Sequence, residues 1–340
     1  MKRILCLFPF DASTQARLSA LSPELDIVFG GTDSQAGVDA LDDPAAEALL
    51  ANYCPTTLDR LPKLRWLALV GAGVEHLKKV DPWSRGVTVT NGSGLQAGAI
   101  AEYVLQNMLQ ITQRVAERQR AHAARAWPGP WTEPWIALLG ASLRGKTLTV
   151  VGYGSIGREI ARLAHAFGMR VLAVKANPAS REDRGYSPAG LGDPKGSIPE
   201  RFAALGDLHG VFAESDFAVL VLPFTPSTDR VIDAAAIAAL PKRAVLINVG
   251  RGRVLDEDAL RAALERGAIH GAVLDVAAAE PVPADSPLWQ TPNLTLTPHI
   301  SPINEPTGWW DLVAGLMSEN LARYASGREL LNVTSGTAGY

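Results

Sequence analysis

Three charged or ionisable side chains in the second half of the chain have types and surroundings that suit chemistry on a bound anion. Arg251 lies in an Asn-Val-Gly-Arg-Gly sequence, Glu280 precedes a proline, and His299 follows Thr-Pro. An arginine offers a forked, permanent positive charge to carboxylate and carbonyl oxygens. A histidine gives or takes a proton near neutral pH, and a neighbouring carboxylate stabilises its protonated form and fixes its orientation. The three residues therefore predict proton transfer to an oxo group beside a bound carboxylate.

A glycine-rich sequence earlier in the chain predicts a dinucleotide site. The run Gly152-Tyr-Gly154-Ser-Ile-Gly157 follows a predicted strand, Thr147–Val151, and precedes a predicted helix, Arg158–Phe167. In such a βαβ unit the first glycine permits a tight turn, the second lets the backbone approach a pyrophosphate, and the third lets helix and strand pack closely. The helix N-terminus adds N–H donors and the positive end of its dipole. The alternative is a glycine-rich turn that binds nothing.

The residue after the next predicted strand bears on which dinucleotide binds. Strand Arg170–Val174 is followed by Lys175, at a position where an acidic residue would accept hydrogen bonds from the adenosine ribose hydroxyls. A lysine can instead pair with a 2′-phosphate. We therefore expect NADP to be preferred over NAD, with Lys175 and Asn177 near the phosphate and Ser180 and Arg181 as further candidates. The alternative is that Lys175 is a solvated strand end and that both cofactors are used.

The elements that carry these residues follow from alternating apolar runs and helical patterns. The first hundred residues predict strands at Ile4–Phe8, Asp26–Phe29, Trp66–Val70 and Val87–Thr90. A helical pattern lies at Pro44–Ala51, and residues 98–125 predict one long amphipathic helix. The segment Trp127–Trp135 is rich in proline, which excludes a helix or a central strand, and it is predicted to be a domain boundary.

A second series of strands begins after Lys146. They are predicted at Thr147–Val151, Arg170–Val174, Phe217–Leu222, Ala244–Val249, Gly271–Leu274 and Leu294–Thr297. Helical patterns between them imply a parallel sheet covered on both faces. Ligands of such sheets bind outside the carboxyl ends of the strands, where Arg251, Glu280 and His299 all fall. Together with the dinucleotide site, this placement predicts hydride chemistry on a 2-oxo acid. Residues 183–200 predict an inserted surface loop, and Glu305–Tyr324 predicts a final helix.

The composition narrows the class of protein. The chain has 340 residues, of which 47% are hydrophobic and 20% charged, as in ordinary globular domains, and its length fits two of them. A net charge of −3 gives no basic field for a nucleic-acid backbone. The two cysteines, Cys6 and Cys54, exclude a disulfide scaffold and a cysteine-rich zinc site and favour a reducing compartment. We therefore expect a cytoplasmic protein that binds no membrane, nucleic acid or metal.

Taken in order, these motifs resemble the D-isomer-specific 2-hydroxyacid dehydrogenase family over essentially the whole chain. The matching sequences are Val70-Gly-Ala-Gly-Val-Glu75, Thr90-Asn-Gly-Ser-Gly-Leu-Gln96 leading into Ile100-Ala-Glu102, Leu143-Arg-Gly-Lys146 before the glycine motif, Leu222-Pro223 with Thr225 and Thr228, Asn248-Val-Gly-Arg-Gly252, Leu274-Asp-Val276 to Glu280-Pro281, and Thr297-Pro-His299. Two features depart from the commonest pattern of the family. Lys175 replaces an acidic residue, and the aromatic residue that is frequent after Val276 is missing.

The resemblance implies a role for each candidate residue. Arg251 would bind the substrate carboxylate and keto oxygen, and His299, paired with Glu280, would be the general acid of keto reduction. Asp275 would contact the nicotinamide carboxamide. The backbone N–H groups expected to hold the substrate carboxylate are those of Gly71, Ala72, Gly73 and Val74. The residues expected to bind the cofactor are Gly152, Gly154, Ser155, Ile156, Gly157, Lys175, Asn177, Leu222, Pro223, Thr228, Val249, Gly250 and Asp275.

The resemblance also implies an α/β architecture. It would have two Rossmann-like or flavodoxin-like domains with parallel sheets and a cleft between them. Residues 1–98 plus 300–340 would form the substrate (catalytic) domain, and residues 99–299 the dinucleotide-binding Rossmann domain. Members of the family are usually homodimers that pair through their cofactor domains.

The favoured activity is NAD(P)-dependent reduction of a small 2-oxo acid, such as glyoxylate or hydroxypyruvate, to a D-2-hydroxy acid. A formate dehydrogenase is disfavoured, because those relatives carry an amide where Glu280 stands. A phosphoglycerate dehydrogenase-like enzyme and a dinucleotide-sensing, corepressor-like binding protein are the alternatives. Trp309 and Trp310 are either substrate-specificity residues or core or dimer-interface aromatics.

Overall fold

The computed structural model describes residues 1–302 and 306–336, and this part of the chain divides into two α/β units. The first unit takes the described residues of Met1–Gln96, Arg184–Gly190 and Asn304–Tyr340, and the second takes those of Ala97–Asp183 and Leu191–Ile303. Within the described residues, no helix is both long and apolar enough to cross a lipid bilayer.

The sheet of the first unit has five parallel strands in the order β2-β1-β3-β4-β5. Up to residue 96 its elements are β1 (Lys2–Cys6), α1 (Ala12–Ser19), β2 (Leu25–Phe29), α2 (Gln35–Asp39), β3 (Ala46–Leu50), β4 (Trp66–Ala68), 3₁₀ helices at Glu75–Lys79 and Pro82–Arg85, and β5 (Thr88–Thr90). Alternate side chains of a strand point to opposite faces, so Ile4 and Cys6 enter one apolar core and Leu5 and Leu7 the other.

The sheet of the second unit has seven parallel strands in the order β12-β11-β10-β9-β6-β7-β8. Its elements are α3 (Ala97–Thr112), α4 (Val115–Ala123), α5 (Glu133–Ile136), β6 (Thr147–Val151), α6 (Ser155–Ala166), β7 (Arg170–Val174), β8 (Arg201–Ala203), α7 (Leu208–Phe212), β9 (Phe217–Leu220), α8 (Ala234–Ala238), β10 (Val245–Asn248), α9 (Glu257–Glu265), β11 (Gly271–Leu274) and β12 (Leu294–Leu296), with 3₁₀ helices at Leu205–Asp207, Gly252–Val254 and Pro287–Gln290. The strand order reverses between β6 and β9, and such a switch point is where open α/β sheets bind ligands. The predicted α/β class with two parallel sheets is confirmed.

Helix α10 (Pro306–Ser326) completes the first unit. The Trp310 ring packs 5.7 Å from that of Phe8 and 5.9 Å from that of Phe10, measured between centroids. Trp309 packs on the same core. Both tryptophans are therefore core aromatics of the first unit. Glu305, where this helix was predicted to begin, lies outside the described residues.

The helix predicted at Pro44–Ala51 is wrong, because these residues form strand β3. The strand lies between β1 and β4, with Ala48 opposite Ile4 and Trp66. Alanine, glutamate and leucine favour a helix locally, but a buried position at the centre of a sheet overrides that preference. Four of the five β3 side chains are fully buried.

The single helix predicted over residues 98–125 is also wrong, because it is two helices. Arg114 has a φ of 51°, a left-handed conformation that ends α3 and begins α4. The proline-rich segment Trp127–Trp135 is not a domain boundary, since it lies within the second unit and contains the start of the short helix α5. The first change of unit comes instead between Gln96 and Ala97, close to the residue 98 boundary implied by the family resemblance.

Residues 184–190 join the first unit, whereas the predicted domains kept them in the dinucleotide-binding one. The Tyr186 ring packs on the apolar core that also holds α10. The backbone N–H of Tyr186 donates to Oδ1 of Asn332 at 2.9 Å. The roles assigned to the two domains stay predictions.

The rest of the predicted surface loop is fastened to a buried arginine. Arg158 on α6 is 2% exposed and donates to the carbonyl oxygens of Arg181, at 2.7 Å, and Asp193. The carboxylate of Asp193 accepts from the Tyr153 hydroxyl at 2.7 Å and from two backbone N–H groups. Burial alone would raise the pKa of Asp193, but these hydrogen bonds lower it overall. The loop is therefore a packed part of the second unit, and edge strand β8, which sequence analysis missed, follows it.

Candidate active site

The glycine motif forms the turn from β6 into α6, at the point where the strand order reverses. Gly152 has a φ of 105°, and a Cβ there would lie 2.6 Å from the carbonyl oxygen of Val221. A Cβ on Gly157 would lie 2.2 Å from the oxygen of Gly152. Around Gly154, by contrast, no described atom beyond the adjoining residues of the chain lies within 4 Å of the Cβ position. The turn is tight, helix and strand pack closely, and the helix N-terminus has open space for a pyrophosphate.

The other predicted cofactor contacts lie beside this turn. Ser155 and Ile156 are the first residues of α6 and are half-buried. The residues that follow β9 and β10 are Leu222 and Pro223, and Val249 and Gly250. A Cβ on Gly250 would lie 2.7 Å from the oxygen of Leu222, and Thr228 Oγ1 donates to the oxygen of Pro223 at 2.7 Å. The segments after β9 and β10 therefore pack on each other next to the switch point.

Lys175 follows β7 directly and is half-buried. Its ammonium donates to the carbonyl oxygen of Ser180, and the exposed Asn177 side chain accepts a backbone N–H at 3.1 Å within the same turn. Burial lowers the pKa of Lys175, the charge of Arg158 lowers it further, and Asp183 opposes the shift. A phosphate placed here would oppose that shift, because an anion favours the charged ammonium.

Glu280 and His299 form a direct hydrogen bond. Nδ1 of His299 lies 2.8 Å from Oε2 of Glu280. The other oxygen of the carboxylate accepts the N–H of Ala277 at 3.0 Å, which orients it. The His299 side chain is 43% exposed and that of Glu280 is 38% exposed. Because Nδ1 faces a carboxylate, Nε2 is the ring nitrogen that can exchange a proton with a substrate.

The segment that carries His299 is held by Asp275, which is 1% exposed. Its Oδ1 accepts from the Thr297 hydroxyl at 2.6 Å and from the N–H of Ile300 at 2.9 Å, and its Oδ2 accepts from the N–H of Ser301 at 2.9 Å. His299 has a φ of 53°, and its N–H donates to the Asp275 carbonyl oxygen at 2.8 Å. These bonds hold the histidine backbone in a sparsely populated conformation. The expected contact of Asp275 with nicotinamide stays a prediction.

Tyr103 on α3 extends this network. Its hydroxyl lies 2.6 Å from Oγ1 of Thr297, which in turn donates to Asp275. Burial is the main cause that raises the pKa of Tyr103, so the phenol stays protonated. Sequence analysis missed Tyr103 as a support, because no motif distinguishes a tyrosine on an amphipathic helix from other half-buried residues. It quoted Thr297 only as part of the Thr-Pro-His sequence.

Arg251 lies in the segment after β10 and is half-buried. Asn248 orders that segment, since its Nδ2 donates to the Arg251 oxygen at 3.0 Å and its Oδ1 accepts the Gly250 N–H at 3.1 Å. Arg251, Glu280 and His299 follow β10, β11 and β12, which are adjacent parallel strands. All three residues therefore lie at the carboxyl edge of one sheet.

In the first unit, the predicted carboxylate-binding loop Gly71–Val74 follows β4. Gly71 and Ala72 are exposed, and Gly73 is half-buried. Asn91 donates its side-chain amide to the Ala72 oxygen at 2.6 Å, and the Gly92 N–H donates to the Gly71 oxygen at 3.1 Å. Asn91 and Gly92, which directly follow β5, therefore support the loop, a role that their position at a strand end could have signalled.

The chain is similar to known proteins over most of its length. The model of the D-isomer specific 2-hydroxyacid dehydrogenase family, NAD binding domain, matches residues 105–301. Glyoxylate/hydroxypyruvate reductase B of Pectobacterium carotovorum is 33% identical over 316 residues, which cover 90% of this chain and 92% of the relative. The chain belongs to the D-isomer specific 2-hydroxyacid dehydrogenase family. The predicted family, enzyme class and NAD(P) cofactor class are thus confirmed.

Solved structures of similar proteins agree with this family. A D-isomer specific 2-hydroxyacid dehydrogenase family protein from Aeromonas salmonicida is 30% identical with a TM-score of 0.74, and the match covers 98% of this chain and 99% of that one. A D-isomer specific 2-hydroxyacid dehydrogenase from Xanthobacter autotrophicus, in complex with NADPH and MES, is 28% identical with a TM-score of 0.76, covering 100% of this chain and 99% of that one. In our chain, the open N-terminus of α6 at Gly154 fits the pyrophosphate of a dinucleotide such as NADPH.

Proposed function

We propose that the enzyme reduces a small 2-oxo acid, of the glyoxylate or hydroxypyruvate type, to the D-2-hydroxy acid. The observation that carries the proposal is the 2.8 Å contact between His299 Nδ1 and Glu280 Oε2 at the sheet edge that also carries the dinucleotide turn. A histidine poised by a carboxylate is what a carbonyl reduction needs, because the developing alkoxide must receive a proton. The named activity of the Pectobacterium relative supports the same substrate class.

Each residue of the edge has a proposed part in the reaction. The guanidinium of Arg251 binds the substrate carboxylate and keto oxygen and polarises the carbonyl. His299 donates the proton on Nε2 to that oxygen, and Glu280 stabilises the imidazolium before the transfer and fixes its tautomer. Bound NAD(P)H supplies the hydride for C2. In the oxidative direction the same imidazole accepts the hydroxyl proton.

For the first unit, we propose that backbone N–H groups of Gly71–Val74 bind the substrate carboxylate. Three of the four residues, Gly71, Ala72 and Gly73, are exposed or half-buried, and hydrogen bonds from Asn91 and Gly92 hold the loop. A glycine-rich loop of this kind offers several N–H donors to one anion without a charged side chain.

We further propose that NADP is preferred over NAD. Support comes from Lys175 at the end of β7, where the ribose of the adenosine half would lie. Its ammonium already closes the turn with Ser180, so it is held at the strand end. The guanidinium of Arg181 lies over the Phe202 ring at 5.3 Å, which makes Lys175 the better candidate for the phosphate. The Xanthobacter relative was solved with NADPH.

The oligomeric state and the cellular location of the enzyme also belong to the proposal. We infer a homodimer, supported by the strongly exposed side chains of Trp127 (96%) and Trp131 (80%), which a second copy would cover. We infer a cytoplasmic location, supported by the buried free thiols of Cys6 and Cys54, whose pKa values are raised to about 12 by burial. Light scattering of the purified enzyme tests the dimer.

The direct test is purified enzyme with NADPH or NADH and a panel of 2-oxo acids, with loss of reduced-nicotinamide absorbance as the readout. We expect turnover of glyoxylate or hydroxypyruvate and a higher kcat/KM with NADPH. Equal or better use of NADH would contradict the Lys175 argument and leave the reaction intact. Cofactor binding without turnover of any acid would contradict the reductase and favour a dinucleotide-sensing protein.

A further inference from the structure

Two consecutive backbone N–H groups in the turn before Glu280 each donate to a carboxylate. The Ala277 N–H donates to Oε1 of Glu280 at 3.0 Å. The Ala278 N–H donates to Oε1 of Glu257 at 2.7 Å. Glu257 is the first residue of α9, 23 positions before Glu280, so it reaches this turn from a separate element. The turn that presents the histidine's partner is thus fixed from two sides.

The segment that leads to Glu257 also packs against the turn at Ala277 and Ala278. A Cβ on Gly252 would lie 1.9 Å from the carbonyl carbon of Ala277, so only glycine fits there. Gly252 directly follows Arg251, and a 3₁₀ helix at Gly252–Val254 then leads towards α9. The segment from Arg251 to Glu257 therefore carries the arginine proposed to bind substrate, packs against the turn at Gly252, and accepts a hydrogen bond from the turn at Glu257.

Helix capping does not account for the position of Glu257. The N-cap of α9 is Asp256, whose side chain accepts the Ala259 N–H at 2.9 Å. Burial raises the pKa of Glu257, and the charges of Asp258 and Glu280 add to that shift, whereas the Ala278 hydrogen bond and the charge of Arg230 oppose it. A half-buried carboxylate close to another carboxylate is unfavourable for folding, and the turn is what its oxygen contacts.

We propose that Glu257 is a positioning residue that holds the Ala277–Glu280 turn and thereby the Glu280–His299 pair. The inference rests on the proposed reduction for its effect on catalysis. Its structural part, the fixing of the turn, stands separately. Glu257 acts through the Ala278 N–H and not by contact with substrate or cofactor.

The test compares three variants of Glu257 with a control on the same helix. Glu257→Ala removes the acceptor, and Glu257→Asp keeps the charge at the helix N-terminus but shortens its reach. We expect both to lower kcat about fivefold, as loss of one ordinary hydrogen bond does, with unchanged NADPH affinity. Glu257→Gln keeps an acceptor oxygen and should stay within about twofold of wild type. Glu265→Ala at the exposed end of α9 should change nothing.

The same series in a Glu280→Gln background identifies the route of the effect. If Glu257 acts through Glu280, Glu257→Ala adds little to the loss already caused by Glu280→Gln, since residues that act as one unit are not additive. An equal fold-loss in both backgrounds would mean a general structural role and would overturn the proposal. So would wild-type kcat in both Glu257→Ala and Glu257→Asp.

Hydrogen–deuterium exchange gives a readout that needs no substrate. We expect the peptide covering residues 275–282 to exchange faster in Glu257→Ala and Glu257→Asp than in wild type, and to be unchanged in Glu265→Ala. Unchanged exchange in both Glu257 variants would overturn the proposal even in an active enzyme. Faster exchange in an enzyme with no 2-oxo acid turnover would support the positioning of the turn by Glu257 and would reject the proposed function.

Discussion

Replacing Glu280 with glutamine isolates the contribution of its charge to catalysis. Glutamine keeps the shape and an acceptor oxygen for the Ala277 N–H, so the turn is preserved. What is lost is the charge on a 2.8 Å contact with His299. A charge-assisted hydrogen bond contributes about 1.5–3 kcal/mol.

Solvent reduces that figure, because the two side chains are 43% and 38% exposed. We therefore take about 1–2 kcal/mol, which at about 1.4 kcal/mol per tenfold corresponds to a kcat about 5- to 30-fold lower.

Initial rates of NADPH oxidation at saturating 2-oxo acid measure this effect, and NADPH affinity from fluorescence checks that the cofactor site is intact. Glu265→Gln, which removes a charge from an exposed ion pair with Arg261, is the matched control. A Glu280→Gln enzyme as fast as that control would refute a catalytic role for the Glu280–His299 pair.

Three further predictions concern the cofactor turn, the choice of cofactor and the loop of the second unit. Gly157→Ala should weaken NADPH binding at least tenfold in calorimetry, because the alanine Cβ would lie 2.2 Å from the Gly152 oxygen and would displace the turn. A tenfold loss of affinity corresponds to only about 1.4 kcal/mol, so a modest displacement is enough. Wild-type affinity would contradict the assigned turn. Lys175→Ala should raise KM for NADPH about 5- to 30-fold and leave KM for NADH unchanged, as loss of a charged contact predicts, whereas Lys242→Ala at the opposite edge of the sheet should change neither. Asp193→Asn should lower the free energy of unfolding by about 1–3 kcal/mol at pH 7 in urea titrations. The pKa of this aspartate is lowered in the folded state, so its contribution is present above about pH 4 and lost as the pH falls further, and the difference between variant and wild type should narrow there.

The sequence predicts the second unit more completely than the first. Long β-rich runs such as Thr147–Val151, a glycine motif and helical intervals all agree there, so the strands that carry the site are confirmed to within a few residues. In the first unit, β3 consists of residues that favour a helix in isolation, and only its place between β1 and β4 makes it a strand. That information is not local, and a window of sequence does not contain it.

For the candidate site, residue types and strand ends predict the partners but not their supports. Glu280 and His299 meet as expected, because both follow neighbouring parallel strands. The contacts of Tyr103 with Thr297 and of Glu257 with Ala278 join segments 194 and 21 positions apart. Such pairs depend on how helices lie over the sheet, which no motif in one sequence records.

We propose that the hydride passes directly from NADPH to C2 of the substrate and that His299 supplies the proton. The measurement that tests it is the reduction of hydroxypyruvate with NADPH deuterated at C4 of the nicotinamide, on the face that the enzyme uses, followed by mass analysis and chiral chromatography of the product. We expect one deuterium at C2 of D-glycerate with wild-type enzyme and a rate at least about a hundredfold lower with His299→Ala, as loss of a general acid implies. An L-product, a product without deuterium, or an undiminished rate in the variant would contradict it.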